Sequence, residues 1–220
     1  MLDVQGLSAT IGATTIVRDA VLRVETGEMC GLIGRNGAGK TTLIRALMGL
    51  VPGTGHAQLE GSDLIAMPNH RRAHQGIGYM PEDRRLVPEF TAEQNIRFPI
   101  WSLGLPDGDQ RLAWIQTLMP ELEALLPRRA LQLSGGQQKL VALGRALMAG
   151  RNLLLLDEPF EGLAPALARR LAEVISALKE TGEAPAVLIA DSNDMHTTGL
   201  LDRVYRIERG VVASPEAAAA

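Results

Sequence analysis

The sequence has a single cysteine, no cluster of lysine and arginine, and no apolar stretch long enough to cross a bilayer. Cys30 therefore cannot form an internal disulfide, and a buried, reduced thiol is expected. A formal charge of -3 without a basic run argues against a surface made for nucleic-acid phosphates. The N-terminus shows no basic segment followed by an apolar one, so we expect a cytoplasmic protein that reaches a membrane only through a partner.

The composition is otherwise that of an ordinary globular protein. The 220 residues are 46% hydrophobic and 21% charged, which fits one compact domain over residues 1–220. The histidines stand without a zinc-type ligand pattern, so no zinc site is expected.

The first sixty residues indicate an antiparallel β subdomain. Apolar and polar side chains alternate over residues 2–7, and β-branched runs at 15–17 and 21–24 are separated by turn-forming residues. Residues 52–55, Pro-Gly-Thr-Gly, are expected to break the chain before a short strand and turn at 58–61.

The rest of the chain alternates strand and helix patterns, which predicts an α/β fold with a mainly parallel core sheet. Residues 91–134 have a mostly helical pattern and are expected to form a helical subdomain, with breaks at Pro99, Pro106 and Pro120. Residues 211–220, which end in four alanines, are expected to be a flexible tail. The predicted core strands cover 29–33, 76–80, 153–156, 186–190 and 204–207.

The stretch 34–42, GRNGAGKTT, fits the phosphate-binding pattern G-x-x-x-x-G-K-[S/T] without a mismatch. Its glycines allow main-chain N–H groups to approach phosphate oxygens, Lys40 can reach the β- and γ-phosphates, and the Thr41 hydroxyl can bind Mg²⁺. A glycine-rich turn that only caps a helix is the alternative, and it fits the full spacing less well. The loop residues expected to contact a nucleotide are Asn36, Gly37, Ala38, Gly39, Lys40, Thr41 and Thr42.

Two adjacent carboxylates end the apolar run 153–156. Asp157 can hold Mg²⁺ through its waters, and Glu158 can orient or deprotonate an attacking water. A solvated acidic turn is the alternative, but two carboxylates at the end of a buried strand would be costly without a cation. A nucleoside triphosphate and Mg²⁺ are therefore the expected ligands.

The string 133–138, LSGGQQ, is a third motif, because its serine and glycines can present N–H groups and a hydroxyl to a γ-phosphate at a helix start. Alone, it could be no more than a capped helix. The phosphate loop, this string and the segment 153–158 follow the order and approximate spacing of ABC-type ATPase subunits. The chain resembles that family over nearly its whole length.

The resemblance implies an ATP-hydrolysing P-loop subunit that works as a head-to-tail dimer. Each ATP would lie between the phosphate loop of one protomer and the LSGGQ string of the other, contacting Ser134, Gly135, Gly136 and Gln137. Short helices of transmembrane permease subunits would dock on the helical subdomain and on the loop entering it. Glu82 and the region 90–114 would then face the permease, with the chain peripheral on the inner face of the cell membrane.

Two further strings resemble one subgroup of the family. Residues 79–86, YMPEDRRL, are similar to the Y-x-P-E-x-R-R run of ATPases that serve branched-chain amino-acid importers, and residues 158–165 are similar to their E-P-x-x-G-L-A-P. The match is to the shorter of the two ATPases in such systems, which pairs with a different second ATPase and depends on a solute-binding protein. Importers of urea and amides carry similar strings, so the resemblance does not identify the transported solute.

Three positions depart from the general family pattern. Ile11 stands where an aromatic residue usually stacks on adenine, so it offers apolar contact without a π face. Glu82 replaces the glutamine that senses the γ-phosphate and Mg²⁺, and it is expected to contribute to the metal shell. Ser192 replaces the switch histidine, and it is expected to take part in catalysis beside Glu158 and Lys40.

Two other functions remain open from the residues. A soluble ABC ATPase acting on nucleic acid or ribosomes is the main alternative, although such proteins usually carry two ATPase domains or basic extensions. A P-loop kinase or GTPase is less compatible with the LSGGQ string and with the adjacent carboxylates.

Overall fold

The computed structural model of the protein describes residues 1–180, 184–193, 195–197 and 199–217. The strands are β1 (Leu2–Ile11), β2 (Thr14–Val24), β3 (Met29–Ile33), β4 (Gly53–Leu59), β5 (Ser62–Asp63), β6 (Ile77–Met80), β7 (Leu153–Asp157), β8 (Ala186–Asp191), β9 (Arg203–Glu208), β10 (Val211–Val212) and β11 (Glu216–Ala217). The α-helices are α1 (Lys40–Leu47), α2 (Asn69–Arg72), α3 (Ala92–Leu103), α4 (Gly108–Leu118), α5 (Gly135–Ala149) and α6 (Pro165–Ala177).

Two sheets organise these elements. The N-terminal sheet is antiparallel in the order β2-β1-β4-β5, and the core sheet has the order β10-β9-β3-β8-β7-β6, with β11 also paired to β9. Within the core sheet, β3 is parallel to both β8 and β9, and β7 is parallel to β6 and β8. The predicted α/β fold, with a mainly parallel core and an antiparallel N-terminal subdomain, is confirmed.

The core sheet is buried on both faces because successive side chains of a strand point to opposite sides. Leu153 and Leu155 of β7 pack with the N-terminal sheet and α1, whereas Leu154 and Leu156 pack with α5, α6 and the helical subdomain. This arrangement explains why the run is wholly apolar. It also places the last residue of β7 at the carboxyl edge of the sheet, where ligands bind in open α/β folds.

The helical subdomain contains an exception to the expected breaks. Pro106 separates α3 from α4, and Pro120 begins a 3-10 turn, but Pro99 lies inside α3 without ending it. A proline there loses one intrahelical hydrogen bond. The helix persists because Pro99 is buried and because Thr91 caps the first turn with a full capping box.

Three local expectations also differ from the structure. The runs 15–17 and 21–24 belong to one strand, β2, in which Asp19 takes a positive φ of 45°. The expected break at 52–55 is already strand from Gly53 onward, since β4 pairs with β1 there. Residues 211–212 and 216–217 of the expected tail pair with β9, and residues 218–220 lie outside the described residues.

Candidate active site

The phosphate loop connects β3 to α1 at the carboxyl edge of the core sheet. Gly39 precedes α1 with a φ of 112°, a left-handed backbone conformation that residues with a side chain rarely adopt. At Gly34, an added Cβ would lie 2.3 Å from the carbonyl oxygen of Ile207, so the backbone there can accept no side chain. The glycines of the motif are therefore required by the turn itself and by its contact with β9.

Lys40 is 4% exposed, and its ammonium turns back over the loop. The Nζ atom donates to the carbonyl oxygens of Gly34 at 2.6 Å and Arg35 at 3.3 Å. It also forms an ion pair with Glu158 Oε1 at 2.9 Å. One cation thus links the loop to the carboxylate after β7.

Thr41 and Asp157 form a second link between the loop and β7. The Thr41 hydroxyl donates to Asp157 Oδ1 at 2.9 Å, while Asp157 Oδ2 is buried without a hydrogen-bond partner among the described residues. Burial raises the pKa of Asp157 to about 6, and the charges of Glu82 and Glu158 add to the rise, while the Thr41 hydrogen bond opposes it. A buried oxygen without a donor beside a threonine hydroxyl suits a hard cation such as Mg²⁺.

A cation at this position would need more oxygens than the side chains supply. Within the part of the chain that the structure describes, no group of three or more His, Cys, Asp or Glu side chains is placed to hold a metal ion. Mg²⁺ commonly binds through one or two carboxylates together with substrate phosphates. The residues therefore fit a metal that arrives with a nucleotide.

Glu158 is held at both its main chain and its side chain. Its backbone is left-handed, with a φ of 49°, its N–H donates to the carbonyl of Ala190 at 2.8 Å, and its carbonyl accepts from Lys139 Nζ at 2.7 Å. The carboxylate accepts from the main-chain N–H of Ser192 at 3.3 Å through Oε2, in addition to the Lys40 ion pair. These contacts fix the direction of the side chain.

The end of β8 adds a carboxylate, Asp191, that is not part of any of the predicted motifs. Asp191 is buried, its Oδ2 atom is without a partner among the described residues, and burial raises its pKa. The Ser192 hydroxyl lies 3.5 Å from Asp191 Oδ1. Asp191 ends a buried apolar strand just as Asp157 does, and this shared pattern was the signal available in the sequence.

A cavity of about 370 Å³ is lined by half of the predicted site residues. Ile16 and Glu161 line it without having been predicted. Ile11 is 53% exposed at the end of β1 and is not part of this lining. The full lining is Ile16, Asn36, Gly37, Gly39, Lys40, Thr41, Thr42, Glu82, Glu158 and Glu161.

On the other side of the phosphate loop lies a second cavity, of about 540 Å³. Ala38 and Ser192 line it together with Arg35, Arg206 and Arg209. The two cavities share Asn36 and Gly37, so the loop is accessible from both sides.

The loop after Glu82 is tied to α5. Arg145 of α5 donates to the carbonyl oxygens of Arg84 at 2.6 Å and Arg85 at 2.7 Å, and both of those residues have positive φ. Glu82 itself is exposed and faces the cavity of Lys40. Its position therefore depends on α5 as well as on β6.

The LSGGQ string begins α5 and lies apart from this cavity. Ser134 Oγ accepts from the Gln137 N–H at 3.3 Å, and Gln137 Oε1 accepts from the Ser134 N–H at 3.0 Å, which forms a capping box. Ser134 and Gly135 are exposed, and the residues 134–137 do not line either cavity beside the phosphate loop. The chain on its own does not bring this string to Lys40.

Comparison with known proteins assigns this arrangement to a family. A family profile described as ABC transporter matches residues 17–161, more than half of the chain. The chain is an ABC transporter ATP-binding subunit. The structure of this ABC ATPase also contains, among its described residues, no helix long and apolar enough to span a membrane.

Several relatives cover nearly all of this ABC ATPase. It is 36% identical over 214 residues to the lipopolysaccharide export system ATP-binding protein LptB of Acidithiobacillus ferridurans, covering 96% of this chain and 88% of the relative. It is 34% identical over 221 residues to the high-affinity branched-chain amino acid transport ATP-binding protein BraG of Pseudomonas aeruginosa, covering 100% of this chain and 94% of the relative.

A solved structure agrees with the fold. The crystal structure of the ADP conformation of MJ1267, an ATP-binding cassette of an ABC transporter, matches with a TM-score of 0.84 and 26% identity, covering 99% of this chain and 91% of that chain. The ABC ATPase fold and the ATPase activity expected from the motifs are thereby confirmed. The two named relatives serve different solutes, so they leave the solute open.

Proposed function

We propose that Glu158 is the general base of ATP hydrolysis, with Lys40 binding the phosphates and Thr41, Asp157 and Glu82 holding Mg²⁺. The observation that carries this proposal is that two residues of the phosphate loop each contact one of the adjacent carboxylates at the edge of the sheet, Lys40 with Glu158 at 2.9 Å and Thr41 with Asp157 at 2.9 Å. Mg²⁺, when bound, supplies charge that neutralises the phosphates and polarises them toward attack. Glu158 then accepts the proton of the attacking water.

This assignment requires the Lys40–Glu158 ion pair to open. Lys40 has one ammonium, and a triphosphate offers it a competing anion beside the N–H groups of the loop. When Lys40 turns to the phosphates, Glu158 Oε1 becomes free to accept a proton while the Ser192 N–H still holds Oε2. Nucleotide binding and the release of Glu158 as the base are thus coupled through the Lys40 side chain.

The site is completed by a second ATPase subunit. Ser134 and Gly135 are exposed and lie apart from Lys40, so a nucleotide on this phosphate loop would receive the residues 134–137 of a partner in a head-to-tail pair. The string in this chain would serve the partner's nucleotide in the same way. Both a homodimer and a heterodimer satisfy this geometry.

The transported solute we propose is a branched-chain amino acid or a related small polar solute, taken up through permease subunits that receive it from a solute-binding protein. The support is the BraG relative, which is matched over all of this chain, together with the strings at 79–86 and 158–165. The chain would then sit on the cytoplasmic face of the membrane. A transporter for a lipopolysaccharide-like lipid is the second candidate, supported by the LptB relative.

One experiment separates the two solutes. The tagged chain is purified from membranes with its permease, the complex is placed in proteoliposomes, and ATP hydrolysis is measured with a leucine-loaded solute-binding protein or with lipopolysaccharide. Stimulation by the loaded binding protein is expected. Stimulation by lipopolysaccharide alone would establish the second candidate instead.

A further inference from the structure

Lys139 is one of three lysines in the chain, and it lies on α5 with 4% of its surface exposed. An ammonium buried to this degree is costly unless it is paired and hydrogen-bonded. Its Nζ atom donates to the main-chain carbonyl of Glu158 at 2.7 Å. Burial lowers the pKa of Lys139 and Arg84 lowers it further, while the carboxylates of Glu161, Asp191 and Glu158 oppose the shift. This cation is therefore directed at the segment that carries the base.

The Glu158 backbone needs such support. A left-handed φ of 49° at a residue other than glycine is sparsely populated and persists where the surroundings over-determine it. The N–H of Glu158 is tied to β8 through Ala190, and its carbonyl is tied to α5 through Lys139. Together, these two hydrogen bonds fix the peptide groups on both sides of its Cα atom.

The side-chain contacts of Glu158 are less permanent under the function proposed above. Its Oε1 partner is Lys40, which must leave for the phosphates, and its Oε2 partner is a single N–H at 3.3 Å. The contact with Lys139 does not involve the carboxylate, so it can persist while the carboxylate works. Lys139 is also on α5, the helix that Ser134 caps, so it connects the base to the LSGGQ string.

We propose that Lys139 is a positioning residue that fixes the left-handed backbone of Glu158 and thereby aims its carboxylate at the attacking water. The inference rests on the proposed role of Glu158 as the base. A buried lysine with a purely structural role would affect stability and would affect every activity readout in proportion to the folded fraction. A positioning residue acts on turnover in the folded protein.

The first test compares Lys139→Met and Lys139→Arg with Lys179→Met, a matched removal of a lysine that pairs with Asp202 away from the site. Methionine is unbranched and adaptable, so it suits the buried stem. Lys139→Met is expected to lower kcat by about 10- to 100-fold, as a small misplacement of a catalytic group does, with KM for ATP nearly unchanged. Lys139→Arg, which keeps a cationic donor, is expected to recover part of the rate, and Lys179→Met to match the parent.

The second readout does not depend on catalysis. Amide hydrogen exchange is measured on the nucleotide-free protein for peptides covering residues 158–163. Lys139→Met is expected to speed exchange in this segment, and Lys179→Met to leave it unchanged. Thermal unfolding of each variant shows that the comparison is made on folded protein. A folded Lys139→Met with parental kcat, or with parental exchange in this segment, overturns the inference.

A third measurement separates the inference from the function on which it rests. If Lys139 acts through Glu158, adding Lys139→Met to Glu158→Gln should cause no further loss of single-turnover hydrolysis. A further loss as large as that in the parent background would show that Lys139 acts elsewhere and would overturn the inference. If Glu158→Gln alone hydrolyses at the parental rate, the base assignment fails, whereas the exchange result still reports whether Lys139 fixes the segment.

Discussion

Lys40 Nζ lies 2.9 Å from Glu158 Oε1, and the two side chains are 4% and 7% exposed. Opposite charges at this distance out of water stabilise each other, and either one alone is costly to bury. The same ammonium also donates to the Gly34 carbonyl. Lys40 must therefore release Glu158 before it can donate to a phosphate. The carboxylate assigned as base is therefore also a competitor of the nucleotide.

Glu158→Gln removes both the competitor and the base. We expect ATP affinity equal to or above the parental value, because Lys40 is released to the phosphates, and hydrolysis lowered by about 10²–10⁴. The slowed variant should accumulate as an ATP-dependent dimer, or as a heterodimer when the partner ATPase is supplied. A phosphate-release assay and size-exclusion chromatography with and without ATP-Mg²⁺ measure both effects. Glu173→Gln is the control, because Glu173 is exposed on α6. Parental hydrolysis in Glu158→Gln would show that Glu158 is not the catalytic base.

Breaking the ion pair from the other side should destabilise the fold. Lys40→Met leaves the Glu158 carboxylate buried without its cation, a change that typically costs about 3–5 kcal/mol. The double variant Lys40→Met/Glu158→Gln removes both charges and should recover most of that loss. Urea unfolding of the two single variants and the double variant gives the coupling. A double variant as unstable as Lys40→Met would show that the loss does not come from an unpaired charge on Glu158. ATP binding should be lost in both proteins that lack Lys40.

The raised pKa of Asp157 predicts that the stability of the Mg²⁺-free protein changes with pH in an unusual direction. Its folded-state pKa of about 6 lies above its ordinary value of 3.8. Between pH 6 and pH 3.8, the carboxyl group is therefore protonated to a greater extent in the folded state than in the unfolded chain. The contribution of this group to the free energy of unfolding is therefore lowest above pH 6 and rises as the pH falls toward 3.8. Asp157→Asn should raise Tm at pH 8 in EDTA, and the gain should shrink below about pH 6.

The control for this measurement is Asp109→Asn, an exposed carboxylate on α4. Burial raises the pKa of Asp191 as well. Asp191 is present in both the parent and Asp157→Asn, so its contribution to the pH dependence of stability has the same sign in both proteins. An equal change in Tm at pH 8 and pH 5 would contradict the prediction, since only a titrating difference can vary with pH.

The sequence could predict the parts of the site that are close together along the chain. The phosphate loop and the Asp157–Glu158 pair are local patterns, and in the structure the two segments contact each other through Lys40 and Thr41. Lys139 could not be found in this way, because its contact with Glu158 depends on how α5 packs against the end of β7.

The remaining differences have the same physical origin. Pro99 was expected to end a helix, but it is buried within α3, and the helix continues past it despite one lost hydrogen bond. The β2 strand continues through Asp19 because β1 pairs with it on both sides of that residue. Local propensity predicted the element types, while packing determined where they begin and end.

Ile16 offers a test of which apolar side chain supports the nucleotide. It lines the cavity of Lys40, whereas Ile11, the predicted contact to adenine, is exposed and outside that lining. Ile16→Ala should weaken ATP binding by about 1–2 kcal/mol, roughly 5- to 30-fold in Kd, through lost apolar contact. Ile11→Ala should have a smaller effect. Titration with a fluorescent ATP analogue compares them, and a larger loss in Ile11→Ala would restore Ile11 as the main contact.

Ser192 contributes two distinct groups to the site, and a substitution can separate them. Its N–H donates to Glu158 Oε2 at 3.3 Å, and its hydroxyl lies 3.5 Å from Asp191 Oδ1 and faces the second cavity beside the phosphate loop. Ser192→Ala keeps the main-chain donor and removes the hydroxyl. If the hydroxyl assists catalysis through a water, turnover should fall while ATP affinity stays nearly unchanged.

The matched control for Ser192→Ala is Ser214→Ala, which removes an exposed serine hydroxyl between β10 and β11. The assay is ATP turnover with the partner subunits present, at saturating ATP and over a range of concentrations, so that kcat and KM are obtained separately. A lowered kcat in Ser192→Ala with parental values in Ser214→Ala supports a catalytic hydroxyl. Parental kcat in Ser192→Ala would mean that residue 192 acts on Glu158 through its main-chain N–H, a contact that any non-proline residue there can make.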